Sequence, residues 1–222
     1  MKRYEKKYGY LPKLAESIEL SLLEQSFIPV YKPRLITSIY YDSNDFSLYS
    51  DSIHGYGIRK KLRSRFYNLE NNCILENKMR AYDTGFKLHE KQIIVSQFKY
   101  QVFYTDNFFC NNANLLIPDS LNIIYRPKVV ITYFRKYFVH SIKPDLRITL
   151  DSEIRYGRVS ELDLSNKSFY AEISALASRN VLEIKFSSNN EQFSSLGANS
   201  FININLINER HSKYCNAIEA LY

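Results

Sequence analysis

The sequence predicts an α+β fold in which antiparallel strands close into a barrel, polar side inward, with helices packed outside. Three observations predict it. Aromatic residues make up 15% of the 222 residues, as 19 Tyr and 14 Phe, while Gly and Pro number 6 each; that balance favours strands over low complexity. Several segments alternate with the period of two that a strand imposes, one face charged and the other apolar. Segments of helical spacing are available to cover the apolar faces. A closed barrel satisfies both faces of such strands and leaves no edge.

In chain order, Arg3, Glu5 and Lys7 alternate with Tyr4, Lys6 and Tyr8, a short strand over 2–8. After Pro12, the spacing of Leu14, Ile18, Leu22 and Leu23 predicts a helix running to about Phe27. Ile36 to Asp42 reads as a strand, followed by a short helix or turn near Asp45–Ser50. A basic strand over 57–67 pairs through a polar turn, Asn68–Asn72, with Cys73–Arg80. Lys87–Ser96 is a further strand, and residues 97–126 read as helical pieces and loops. Val129–Phe138, Asp145–Asp151 and Val181–Phe186 are strands; part of 191–207 and Lys213–Leu221 are helical. With no repeats and no Gly/Ser-rich linker, residues 1–222 read as a single domain.

The basic strand carries the chemistry. Arg59, Lys61, Arg63 and Arg65 share one face with no anion between them, while Ile58, Leu62 and Phe66 fall on the other with Lys60 and Ser64. Antiparallel sheets normally set opposite charges across strands, so such a row is either a solvated edge blunted with cations or the wall of an anion-binding groove. Glu76, Lys78 and Arg80 continue the pattern on the partner strand, as do Tyr133 with Arg135, Arg147 with Asp151, and Glu183 with Lys185 elsewhere. A barrel lined this way suits a polyanion together with a divalent metal.

The net charge of +7 agrees with anionic partners. Cys73, Cys110 and Cys215 have no paired spacing, which argues against a disulfide framework or a zinc knuckle and for a reducing, cytoplasmic compartment. No apolar run approaches the ~20 residues of a membrane span, and the first residues do not form a signal peptide. His54, His89, His140 and His211 lack ligand spacing.

Eight short motifs follow one another along the chain: Arg3-Tyr-Glu-Lys-Lys-Tyr8, Ser38-Ile-Tyr-Tyr-Asp42, Arg59-Lys-Lys-Leu-Arg-Ser-Arg-Phe-Tyr67, Leu75-Glu-Asn-Lys78, Thr132-Tyr-Phe-Arg135, Leu146-Arg-Ile-Thr-Leu-Asp151, Leu182-Glu-Ile-Lys185 and Ser212-Lys-Tyr214. In order and separation they resemble the vacuolar transporter chaperone (VTC) domain family of the triphosphate tunnel metalloenzyme superfamily. The resemblance implies an antiparallel, roughly eight-stranded tunnel barrel with flanking helices. It also implies a polyphosphate polymerase that draws on the γ-phosphate of ATP with Mn2+ or Mg2+. ATP, triphosphate and inorganic polyphosphate are the implied partners, and nucleic acid is not expected, because the cations would lie inside a tunnel.

Carried over by position, Arg63, Arg65, Lys78, Arg135 and Arg147 would hold phosphate oxygens, joined by Lys7 and Lys87. Tyr133 would sit beside the nucleotide, Glu183 would hold the metal, and Ser212 and Lys213 would close on the phosphates. Arg59, Lys61 and Lys185 share the charged faces and join the binding candidates; Glu76 and Glu5 are weaker metal candidates. Each has a plainer reading. Glu183 could be a salt-bridge partner of Lys185, Ser212 a helix cap, and Tyr40, Tyr41 and Tyr133 core or lining. Asn77 stands where the family usually has an aliphatic residue, on the face away from the tunnel. A triphosphatase with water as acceptor, and a non-catalytic polyphosphate binder, are the alternative functions.

Overall fold

The computed structural model describes residues 3–68, 72–81, 84–94, 103–104, 124–159, 173–187, 206 and 208–222. Eleven strands and three α-helices occur among them: β1 (Arg3–Tyr10), α1 (Ala15–Glu24), β2 (Phe27–Pro29), β3 (Arg34–Asp42), α2 (Ser47–His54), β4 (Ile58–Tyr67), β5 (Asn72–Ala81), β6 (Thr84–Ile94), β7 (Phe103–Tyr104), β8 (Ile124–His140), β9 (Arg147–Arg158), β10 (Ile173–Leu176), β11 (Asn180–Ser187) and α3 (Lys213–Leu221). The fold is α+β, and every strand pair with a described register is antiparallel. The chain divides into two compact units. The long strands β8 and β9 run through both.

In the unit formed by residues 1–35, 133–154 and 176–212, the strand order is β1-β11-β9-β8, with β2 against the end of β8. The even-numbered side chains of β1, β9 and β11 make the apolar back: Tyr8, Ile148, Leu182 and Ile184 pack with Ile18 and Leu22 of α1. Fully burying one such aliphatic side chain contributes about 1.5–3 kcal/mol. The helix stops at Glu24, short of Phe27, because Ser26 takes a left-handed φ of 63°. Phe27 then enters β2, a strand with no alternation to announce it, and is fully buried.

In the other unit, residues 36–132, 155–175 and 213–222, β8 continues to β3, β4, β5 and β6. Here the apolar back consists of Ile39, Tyr41, Leu62, Phe66 and Leu75, with Leu48 of α2 against it. The sequence expectation for 97–126 changes where the chain is described: Phe103–Tyr104 and Ile124–Arg126 are strand and not helix. The remainder of that stretch, and most of the helix expected within 191–207, lies outside the described residues. Asn208, at the border of that stretch, forms a bridge to Tyr8.

Asp42 ties β3 to both helices of this unit. It is fully buried. Phe46, before α2, holds a left-handed φ of 58° and offers the helix no side-chain oxygen. The unsatisfied amides of the first turn therefore turn to Asp42: Leu48 N donates to Oδ1 and Tyr49 N to Oδ2, each at 2.9 Å. Ser43 N donates to Oδ1 at 2.8 Å, and the Tyr214 hydroxyl of α3 donates to Oδ2. Each buried donor left unsatisfied costs roughly 1–3 kcal/mol. With the Ser43 hydroxyl, which also donates to Oδ1 at 3.3 Å, Asp42→Ala strips five donors of their acceptor at once and should lower stability by about 3 kcal/mol or more, read from urea denaturation midpoints.

Candidate functional site

The polar face of the first unit is built from odd-numbered residues on four strands. The register sets Glu5 opposite Lys185 and Lys7 opposite Glu183 between β1 and β11. Between β11 and β9 it sets Glu183 opposite Thr149 and Lys185 opposite Arg147. Glu183 is buried, with Lys185 Nζ at 2.6 Å and Arg135 Nη2 at 4.0 Å. Burial pushes its carboxyl up, but Lys185, Lys7 and Arg135 together outweigh burial and hold it well below the usual carboxylate range.

Arg135 is fixed by Asp151, which accepts from Nε at 2.5 Å and from Nη2 at 2.7 Å. Desolvation opposes its charge; Tyr133, Asp151 and Glu183 more than restore it. Its guanidinium lies 5.2 Å from the Tyr133 ring centroid, and Tyr133 is itself buried. Lys7 Nζ is 2.9 Å from Glu5 and donates to the His211 carbonyl at 3.3 Å. Arg147, at the start of β9, is exposed. Ser212 follows His211 at the end of this unit's chain.

In the second unit the polar face lies across β3, β4 and β5. Arg63 Nε donates to Glu76 Oε2, and Arg65 Nη1 is 3.7 Å from the same oxygen. On the opposite face, the Lys60 ammonium sits 5.0 Å from the Tyr125 ring centroid. Asn77 also belongs to that opposite face, since it pairs in register with Leu62; it is buried, and its Oδ1 has no hydrogen-bond partner among the described residues.

The cations meet like charges across the strands. Arg59 stands opposite Arg80, and Lys61 opposite Lys78. On the next strand the register shifts between Asn77 and Lys78, and the irregularity brings Lys87 opposite Lys78. Bulges of this kind often re-aim residues beside functional sites. Three strands thus carry a row of lysines at one level, Lys61, Lys78 and Lys87. Lys213 begins α3 in the same unit.

Four residues here were not singled out as site members from sequence. Asp151 was seen only as a member of a charged face, and its fixing of Arg135 needs the β8–β9 pairing. Thr149 is an ordinary strand residue until it stands opposite Glu183. Tyr40 receives a hydrogen bond from Arg63 Nη1 at 3.1 Å, and Tyr214 stacks on Tyr40 with ring centroids 5.2 Å apart. The nearest signal was the run Ser38-Ile-Tyr-Tyr-Asp42, whose alternation puts Tyr40 and Tyr41 on different faces.

The family model for the VTC domain matches residues 2–222. No curated protein matches the chain. Among solved structures, a candidate adenylate cyclase from Vibrio parahaemolyticus is 12% identical, covering 99% of this chain and 98% of its own, at TM-score 0.55. A candidate adenylyl cyclase from Hippeastrum, described with a dominant triphosphatase activity, is 14% identical over 99% of this chain and 96% of its own, also at 0.55. A protein from Pyrococcus horikoshii shares 14% identity over 98% of this chain and 96% of its own, at 0.54. These likenesses establish a shared fold.

Glu183 should leave a signature in acid. Its folded carboxyl titrates below the unfolded value of about 4.5, so its stabilising contribution is complete above that pH and lost as pH falls further. Wild type should exceed Glu183→Gln in stability at neutral pH. The gap should narrow progressively below about pH 4.5, measured as denaturant midpoints across that range.

Proposed function

The chain belongs to the VTC domain family, and from that footing we propose that it is a metal-dependent phosphotransferase acting on triphosphates. In this reading it passes the γ-phosphoryl group of ATP to the end of an inorganic polyphosphate chain. The observation that carries the anionic substrate is the set of like-charged cross-strand pairs, Arg59 with Arg80, Lys61 with Lys78, Lys78 with Lys87, and Arg147 with Lys185. Like charges directly opposite are destabilising in a sheet, and phosphate oxygens bound at such a pair, in either unit, would relieve it.

Guanidinium forks suit phosphate oxygens because they bind bidentately and stay charged. Arg63 and Arg65 are held by Glu76, and Arg135 by Asp151. Each therefore meets its substrate already oriented, and positioning of this kind, with neutralisation of charge, is most of what a protein contributes to phosphoryl transfer. Lys7, Lys78, Lys87, Lys213 and Arg147 would supply further positive charge, with Tyr133 beside Arg135.

Among the described residues no group of three or more His, Cys, Asp or Glu could cage a metal. Mg2+ and Mn2+ need no such cage, since they bind through one or two carboxylates together with substrate phosphates. Glu183 fits that role, and Thr149 Oγ1, buried opposite it in register and without a hydrogen-bond partner among the described residues, is a further oxygen. When bound, the ion would neutralise charge on the phosphate oxygens. Glu76, engaged by Arg63 and Arg65, and Glu5, paired with Lys7, are the further carboxylates that could serve.

Hydrolysis is the second reading, favoured by the triphosphatase activity of the Hippeastrum neighbour. Incubation with ATP and Mn2+ separates the two. Ladders of polyphosphate with matching ADP support the polymerase, phosphate release alone supports the triphosphatase, and no turnover with any divalent ion leaves a binder.

The two faces of β4 offer a second test. A charge-assisted hydrogen bond contributes roughly 1.5–3 kcal/mol, so Arg65→Ala should weaken tripolyphosphate binding by about 10- to 150-fold. Lys60→Ala, beneath Tyr125 on the other face, should change it little. Equal losses in calorimetric titrations would point to a diffuse surface patch.

A further inference from the structure

Tyr40 is a neutral member of the basic face in the second unit, as is Ser38 opposite Arg65. It pairs in register with Arg63, and Arg63 Nη1 donates to its hydroxyl at 3.1 Å. Its ring lies nearly parallel to that of Tyr214, at an interplanar angle of 18°. Tyr214 in turn donates its own hydroxyl to the buried Asp42. The ring is therefore held from behind while the hydroxyl faces the cations, and only 7% of the residue is exposed. A phenol with its oxygen against a guanidinium has one proton to give, and a phosphate oxygen bound on the same guanidinium is a suitable acceptor for it.

We propose that Tyr40 belongs to the anion site: as a phenol it steadies Arg63 and donates its proton to a bound phosphate oxygen, and as a phenolate it competes with that phosphate for Arg63. The inference rests on the reading of this face as a triphosphate site. The charged and titratable groups around Tyr40 are Arg63, Arg65 and Lys61 from β4, Glu76 from β5, Tyr214 from α3 and Tyr156 from β9. Burial alone pushes the phenol up, but Arg63, Arg65 and Lys61 more than offset burial and bring it down to about 8.

A bound polyanion beside those cations cancels their pull and raises the phenol again. By linkage, a group whose pKa rises on binding supports affinity fully below its free value. That support is lost as pH climbs through the free value. On ionisation the proton goes to solvent; on binding above that pH it is taken back.

The test uses tripolyphosphate without metal, titrated by calorimetry into wild type and Tyr40→Phe, which keeps the ring stack. Between about pH 7 and pH 9, wild-type affinity should fall roughly tenfold relative to Tyr40→Phe, one factor of ten per unit above the free value. Comparison with the variant cancels the titration of the ligand itself. Independently of any variant, the near-ultraviolet phenolate band of wild type should show one tyrosine ionising near pH 8, and tripolyphosphate should abolish that step. Parallel pH profiles, or a band that tripolyphosphate leaves unmoved while it binds, overturn the role of Tyr40 and leave the triphosphate reading standing. Failure of tripolyphosphate to bind at either pH overturns both, and the two failures are thereby told apart.

Discussion

Cations placed directly opposite one another on hydrogen-bonded strands repel, and the rest of the structure depends on tolerating that repulsion. A like-charged cross-strand pair costs a few tenths of a kcal/mol to about 1 kcal/mol. Among the described residues the register holds four such pairs of cations, and it also sets Glu76 opposite Glu90. In each unit a buried carboxylate sits among the positive groups, Glu183 in one and Glu76 in the other. Each carboxylate neutralises part of the charge around it.

The apolar backs of the same strands supply the larger opposing term. Ile18, Leu22, Ile148 and Leu182 in one unit, and Ile39, Leu62 and Leu75 in the other, are essentially inaccessible to water. Burial of one of them outweighs a single repulsive pair. The period of two makes this possible, since one strand presents a strained face and a stable face at once. Three consecutive residues of β3 show it most economically: Tyr40 meets Arg63, Tyr41 bonds to Ser64 within the apolar layer at 2.8 Å, and Asp42 gathers α2 and α3.

Strand alternation made most of this legible in the sequence. The split of β4 into basic and apolar faces, its pairing with β5, and the grouping of Glu183 with Lys185 all follow from side chains that alternate along one strand. What pairs across strands was harder to see. Asp151 looks like any strand-end carboxylate until Arg135 is set beside it, and Thr149 until it stands opposite Glu183. The bulge at Asn77/Lys78 cannot be read from either strand alone. β2 has three residues and no alternation to display, and the early end of α1 was not legible because the left-handed Ser26 that stops it has no strong sequence mark. Tyr40 could equally have been core, since a tyrosine facing a guanidinium and one facing leucines have the same neighbours in sequence.

The rows of opposed lysines and arginines also bear on how the protein should be handled. An ion that binds only the folded state stabilises it by mass action, and mobile salt screens exposed charges over roughly 10 Å at 0.1 M. Phosphate or sulfate in a buffer would then act on these rows as a weak ligand, and chloride chiefly as a screen. A melting curve recorded in phosphate buffer is on this account already a binding experiment. The intrinsic tension of the sheet becomes visible only when the counter-ion is one that the arginine forks do not fit.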